Sequence, residues 1–348
     1  MRLNKQHRYY QEDLDYILKV KGIDILKGKS ILITGATGMV GVCLIDALMK
    51  FNEQQRACVS IYAVGRDQDK ASMRLGEYYS SPFFHFLQQD VREPLPDELK
   101  VDFIIPLASN THPLAYSKYP VETVEINVKG AEIALKKARQ CGAVVLYPSS
   151  VEVYGNGADT FDESYTGKLN LSTSRACYTE SKRVCEALCQ SYAAEYGVDC
   201  KIVRLSRLFG PTMLESDTKA SSQFILKALA REDIVLKSKG DQFFSYTYAA
   251  DAVQAILFVL VNGESGQAYN VASDNCNIKL ADFAKHCAEL AGTSVVFDLP
   301  SEVETKGYSV AKKAILSSDK IKALGWAASY SFGEAIDRTI TILDGRYS

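Results

Sequence analysis

Short runs of β-branched and aliphatic residues alternate along this chain with longer stretches in which apolar side chains recur every three or four positions. The runs Ser30–Thr34, Ser60–Val64, Phe86–Gln88, Phe103–Leu107, Val144–Pro148 and Lys201–Leu205 read as strands. Helical periodicity marks Val42–Lys50, Val121–Arg139 and Ser181–Tyr196 between them. Alternation of this kind predicts an α/β fold, a doubly wound parallel sheet with helices on both faces. Ahead of it, residues 1–28 form an N-terminal extension with one amphipathic helix (Leu14, Ile17, Leu18) and a linker. After Gly210-Pro211 the rhythm breaks, with helices expected at Ser221–Ala230, Ala250–Val261, Leu280–Ala291 and Ser318–Leu324 and a short strand at Ile234–Lys237. The expected division is therefore a sheet domain over 29–210, to which 246–273 returns, and a smaller interleaved lobe built from 211–245 and 274–348.

Composition narrows the field of partners. Apolar residues make up 47% and charged residues 24%, the balance of a folded globular chain. Forty basic side chains against 42 acidic ones leave a net charge of −2, so no positive field exists to hold nucleic acid. The longest apolar run, near Ile256–Val261, is far short of the ~20 residues a bilayer-spanning helix needs. The charged start MRLNKQHRYYQEDLDY lacks the apolar segment of a secretory leader. Nine cysteines without a C-x-x-C pair and four scattered histidines argue against a metal site and suit a reducing, cytoplasmic setting.

Chemistry first appears at Gly35-Ala36-Thr37-Gly38-Met39-Val40-Gly41, which follows the first strand and opens a helix. Glycine serves three needs there: a tight turn, close approach of the backbone to a pyrophosphate, and close packing of helix on sheet. The free N–H groups and positive dipole end of the helix would then face the phosphates. Strand before and helix after make this a dinucleotide cradle in a Rossmann-type sheet, with Gly35, Thr37, Gly38, Met39, Val40 and Gly41 against the cofactor. The end of the second strand selects between NAD and NADP. It reads Gly65-Arg66-Asp67, in which Arg66 suits the 2′-phosphate of NADP while Asp67 leaves NAD open. Asp90-Val91, after the third strand, is placed for an adenine contact.

The second constellation is Tyr178-Thr179-Glu180-Ser181-Lys182, a phenol and an ammonium at i and i+4 on one helix face. For a tyrosine with a free pKa near 10 to act as a base at pH 7, about 4 kcal/mol of differential stabilisation is needed. A neighbouring lysine and a cationic nicotinamide supply it through opposite charge. Tyr308 and Lys312 share the spacing, but only Tyr178 follows a serine at a strand's C-terminal end, Ser150 in Tyr147-Pro148-Ser149-Ser150-Val151-Glu152. Tyr308 is accordingly taken as structural.

Taken together, these residues resemble the extended short-chain dehydrogenase/reductase family, in particular its nucleotide-sugar epimerases, dehydratases and decarboxylases, from Lys29 to about Leu343. Leu107-Ala108-Ser109 resembles the family's cofactor-contacting segment, and Glu125-Ile126-Asn127-Val128-Lys129-Gly130 its helix asparagine motif. Tyr269-Asn270-Val271 and Leu324-Gly325-Trp326 match signatures of its C-terminal lobe. The resemblance implies that Tyr178 takes a proton from a sugar hydroxyl oriented by Ser150, that the carbon passes hydride to NAD or NADP, and that Lys182 holds the nicotinamide ribose and lowers the tyrosine pKa. The cofactor, recycled within each turnover, would stay tightly bound. It also implies a homodimer paired through the helices carrying Asn127 and Tyr178.

Glu152 bears on the reaction that follows oxidation. Dehydratases of this family carry Asp then Glu after the active-site hydroxyl, whereas this chain has Val151-Glu152, the pattern kept by mannose-nucleotide dehydratases and UDP-glucuronate decarboxylases. Two departures touch the substrate side. Arg207 stands where the family usually has asparagine, and Phe244 where it usually has a phosphate-binding arginine. The anion is therefore held differently, or the substrate is an activated sugar alcohol. Thr111, His112 and Tyr116 sit on the loop after the fourth strand, on the sugar side. Epimerisation is the leading expectation, because it needs only Ser150, Tyr178 and Lys182. Decarboxylation or dehydration through Glu152 is the alternative, and a net NADP-dependent reductase or a non-catalytic NAD(P)-binding regulator are further ones.

Overall fold

A computed structural model describes residues 3–298 and 312–344. Seven parallel strands form its main sheet: β1 (Ser30–Thr34), β2 (Ser60–Gly65), β3 (Phe84–Gln88), β4 (Phe103–Pro106), β5 (Val144–Ser150), β7 (Cys200–Leu205) and β11 (Ala268–Val271). Their order is β11-β7-β5-β4-β1-β2-β3, so the winding reverses between β1 and β4. Side chains of a strand alternate between faces. Ile31 and Ile33 enter one core and Leu32 the other. The first core is roofed by α1 (Arg8–Ile17), α2 (Met39–Gln55) and α8 (Ala249–Asn262). The second lies under α5 (Pro120–Cys141) and α6 (Ala176–Tyr196), whose inward positions Ala131, Ala134, Ala138, Cys185 and Cys189 are small enough for close approach to the sheet. The remaining helices of the sheet domain, α3 (Gln68–Leu75) and the short α4 (Pro113–Lys118), lie on sheet-edge connections.

A second sheet is woven from distant pieces. It runs β12 (Asn277–Lys279), β10 (Phe243–Tyr248), β14 (Lys313–Leu316) and β6 (Thr160–Phe161), with β8 (Arg207–Phe209) also pairing β10. Helices α7 (Ala220–Ala230), α9 (Leu280–Ala291), α10 (Asp319–Ala323) and α11 (Phe332–Leu343) and the ribbon β9 (Ile234–Leu236) with β13 (Val295–Phe297) complete this lobe. Two of its strands, β6 and β8, precede Gly210, so the lobe draws on earlier sequence than the break after Gly210-Pro211 suggests. The chain returns to the sheet domain with α8 rather than at residue 246, because β10 belongs to the second sheet through Tyr248. Tyr269-Asn270-Val271, matched above to the C-terminal lobe, is the edge strand of the main sheet beside β7.

The N-terminal segment is not a loose appendage. Buried Asp13 on α1 accepts from Tyr248, Tyr330 and both Nε and Nη2 of Arg338, tying α1 to β10 and α11. Buried Asp46 on α2 accepts from Lys5, Tyr10 and Tyr78 at 2.6–2.9 Å. Tyr308 lies outside the described residues.

Candidate active site

The site lies along the C-terminal edge of the main sheet, where the winding reverses and ligands of open α/β sheets collect. Gly35 ends β1 with φ +63°, and a Cβ there would meet Ala108 N at 2.7 Å and Leu107 C at 2.8 Å. The turn after β1 thus lies directly on the turn after β4, which Ala108 N secures by donating to Thr34 Oγ1 at 3.2 Å. At Gly41 a Cβ would stand 2.6 Å from Gly35 O and 2.7 Å from Ala36 O. Thr37 and Gly38 complete the turn, and Met39, Val40 and Gly41 form the first turn of α2. The turn is therefore lined by bare backbone. Around it, Ser109 Oγ, Asn127 Oδ1 and Ser149 Oγ are buried without hydrogen-bond partners, polar atoms that suit a dinucleotide laid along this edge. The residues present fit NAD.

At the adenosine end, the structure alters the reading of Arg66. Its Nη1 donates to Glu122 Oε1 at 2.7 Å and lies 3.8 Å from Asp90 Oδ2. Asp67, the other candidate acid, caps α3 by accepting from Lys70 N at 2.8 Å. Asp90 is held by Arg92, whose hydrogen bonds keep its carboxyl below the usual aspartate range. Val91 packs on Gly130 of α5, 3.4 Å from the position a Cβ would take there. Asn127 donates to Ser181 Oγ at 2.8 Å, and Ser181 in turn donates to Tyr178 O, so the α5 asparagine locks the turn of α6 that carries the tyrosine.

Tyr178, Ser150 and Glu152 converge. Ser150 ends β5 and its Oγ accepts from Glu152 N, capping the 3₁₀ turn Val151–Tyr154 that presents Glu152. Tyr178 stands in the first turn of α6, 8% exposed. Burial pushes its phenol well above the ordinary value, and the Ser150 hydroxyl within hydrogen-bonding reach pulls the other way. Lys182 points elsewhere. Its Nζ donates to Pro148 O at 2.9 Å and lies 5.0 Å from the centre of the Tyr147 ring. Burial draws the lysine down to about 8.

Two side chains complete the wall. The Tyr116 ring on α4 packs against that of Tyr178, centroids 5.5 Å apart. Arg175, which sequence reasoning passed over, lies 4.5 Å above the centre of the Tyr116 ring and donates from Nη2 to Glu152 Oε2 at 3.1 Å. It stands at the N-cap position of α6, three positions before Tyr178. Thr111 is exposed on the loop before α4, and His112 Nδ1 faces Thr218 Oγ1 at 3.2 Å, anchoring that loop to the second lobe. Arg207 on β8 stacks on the Phe244 ring of β10, its guanidinium 3.7 Å from the ring centre, with Nη1 buried and unpartnered. The two departures from the family pattern are thus in contact. Among the described residues no cluster of side chains could hold a metal ion, and no helix is long and apolar enough to cross a membrane.

Residues 31–272 match the model of the NAD dependent epimerase/dehydratase family. UDP-glucuronic acid decarboxylase 1 of Xenopus tropicalis is 31% identical over 313 residues, covering 90% of this chain and 71% of that protein. UDP-glucuronic acid decarboxylase 3 of Arabidopsis thaliana is 30% identical, covering 88% of this chain and 86% of its own length. In fold, the chain superposes on UDP-glucose 4-epimerase of Thermotoga maritima, solved with UDP-glucose, with a TM-score of 0.76 at 20% identity over 91% of this chain and 98% of that one. The dTDP-glucose 4,6-dehydratase of Streptomyces venezuelae, solved with NAD, gives 0.76 at 22% identity over 90% and 96%. A matching family model across most of the chain, relatives of this length and the site just described lead to one conclusion: the chain belongs to the NAD-dependent epimerase/dehydratase family.

Proposed function

We propose that this enzyme oxidises one hydroxyl of a nucleotide-diphosphate sugar to a ketone, uses the ketone to change the neighbouring carbon, and restores the hydroxyl before release. The observation that carries this reading is the convergence of Ser150, Tyr178 and Glu152 at the edge where the glycine cradle opens. The cradle residues Gly35 to Gly41, with Ser109, Asn127 and Ser149, would hold NAD, which supplies the hydride acceptor and a positive charge. Tyr178 accepts the hydroxyl proton, Ser150 orients the same oxygen, and buried Lys182 adds a cation on the same helix. Burial between Tyr116 and the sheet excludes water from the phenol.

For the second step, decarboxylation of a nucleotide-linked uronate is the reading favoured by the relatives. A ketone β to a carboxylate makes loss of CO2 favourable, because the electron pair left on carbon is delocalised into the carbonyl. Glu152 with Arg175 beside the phenol would manage the proton that then returns to that carbon. Epimerisation is the second reading, supported by its need for nothing beyond Ser150, Tyr178 and Lys182. Arg207 on Phe244 would hold the diphosphate, with Thr111 near the sugar. A homodimer through α5 and α6 is supported by their exposed apolar residues Val121, Val124 and Val184. A cytoplasmic setting fits nine cysteines that are all unbonded.

Incubation with nucleotide-linked uronates and neutral hexoses in deuterated water tests the reading. Deuterium on a sugar carbon with release of CO2 supports decarboxylation, and isomerised sugar without CO2 supports epimerisation. Stoichiometric release of reduced cofactor, with the sugar nucleotide left oxidised and neither decarboxylated nor isomerised product formed, would place the chain among net dehydrogenases and overturn the proposal.

A further inference from the structure

We propose that Glu122, reaching across from the first turn of α5, makes this site choose NAD over NADP. The inference rests on the reading of the glycine cradle and the end of β2 as the dinucleotide site. In such folds the adenosine ribose meets the end of the second strand, where an acid accepts from the 2′-hydroxyl or an arginine takes a 2′-phosphate. Here the strand supplies no acid of its own. Gly65 has no side chain, and a Cβ at that position would already lie 3.3 Å from the Phe86 ring. Asp67 is committed to capping α3. With Asp67 so committed, what remains at this edge is Arg66, the pattern of an NADP enzyme.

The tertiary structure reverses that pattern. Glu122 Oε1 stands 2.7 Å from Arg66 Nη1, and Asp90 Oδ2 is 3.8 Å from the same nitrogen. Asp90 is shared with Arg92 at 2.8 Å, and Arg92 reaches Glu125 at 3.1 Å. Charges thus alternate Glu122, Arg66, Asp90, Arg92, Glu125, Lys129 along one rim. A 2′-phosphate brings a charge of about −1.5 to −2. At Arg66 it would face two carboxylates or have to expel Glu122. A ribose hydroxyl is neutral and can donate to either carboxylate. Glu122 is what pairs Arg66.

The test compares full-length wild-type chain with Glu122→Gln. Each is equilibrated with an equimolar mixture of NADH and NADPH, the bound dinucleotide is identified by mass, and each dinucleotide is titrated alone by nicotinamide fluorescence. Wild type should prefer NADH, and Glu122→Gln should shift the affinity ratio toward NADPH by about tenfold. Adding Arg66→Ala to Glu122→Gln should erase that gain, since the phosphate then loses its cation. An unmoved ratio in Glu122→Gln, or equal affinity of wild type for both, overturns the proposal while leaving the cofactor site intact. Uptake of neither dinucleotide by wild type overturns the cofactor site itself, and this inference with it.

Discussion

Tyr178 shows how far a single residue's chemistry depends on what surrounds it. Desolvation holds its phenol protonated, and Ser150 opposes this only in part. The lysine one turn along donates to Pro148 O. Tyr178→Phe should lower turnover of the sugar nucleotide by about 10²- to 10⁴-fold, the range for removing a positioned acid–base group. Bound NAD should be retained, because the cradle is untouched. Turnover measured alongside dinucleotide content checks this, and undiminished turnover would remove Tyr178 from the chemistry. The identities of Ser150, Tyr178 and Lys182 were legible from spacing and strand context. Arg175 was not recognised, because its partner Glu152 lies on another element and an arginine before a helix is ordinary in sequence.

At the scale of elements, the β1–α2 turn is the most constrained part of the site. Both missing side chains matter through backbone atoms, which cannot swing aside as a side chain can. Gly41→Ala forces α2 away from the turn, since its Cβ would sit 2.6 Å from Gly35 O. The expected cost is about 1–3 kcal/mol of stability, the range for overpacking, together with loss of bound dinucleotide. Thermal unfolding and the absorbance of released cofactor measure the two effects. Periodicity located most elements well: α9 falls on Leu280–Ala291 as expected, and α5 extends the expected Val121–Arg139 by one residue and two. The short α4 and the C-terminal α11 were not anticipated. Pro113–Lys118 is too brief to show a helical period, and Phe332–Leu343 follows a stretch without a strand to mark its rhythm.

Across the whole molecule, the N-terminal helix is bound to the far end of the chain by buried carboxylates. Asp251 on α8 accepts from Tyr16 OH at 2.7 Å and from Ser329 N at 2.8 Å, and burial pushes it up to about 6. A carboxyl raised in the folded state binds its proton more tightly there than when unfolded. Its favourable contribution is complete below the unfolded pKa near 3.9 and is lost as pH rises through about 6. The stability difference between wild type and Asp251→Asn should therefore change by about 3 kcal/mol in the variant's favour between pH 4 and pH 7. Denaturant melts at a series of pH values would show it, and a constant difference would mean that Asp251 ionises as freely in the fold as outside it. The sequence by itself determined the layered α/β architecture, the cradle and the Ser–Tyr–Lys set, because periodicity, turns and i,i+4 spacing act over a few residues of backbone. Only the tertiary structure decided which charges meet. Arg66 finds Glu122 56 positions away, Arg338 finds Asp13 across 325, and Arg207 settles on Phe244 from a different strand. Such pairings follow from how strands are ordered in space, which no local pattern encodes, and one of them anchors the first helix.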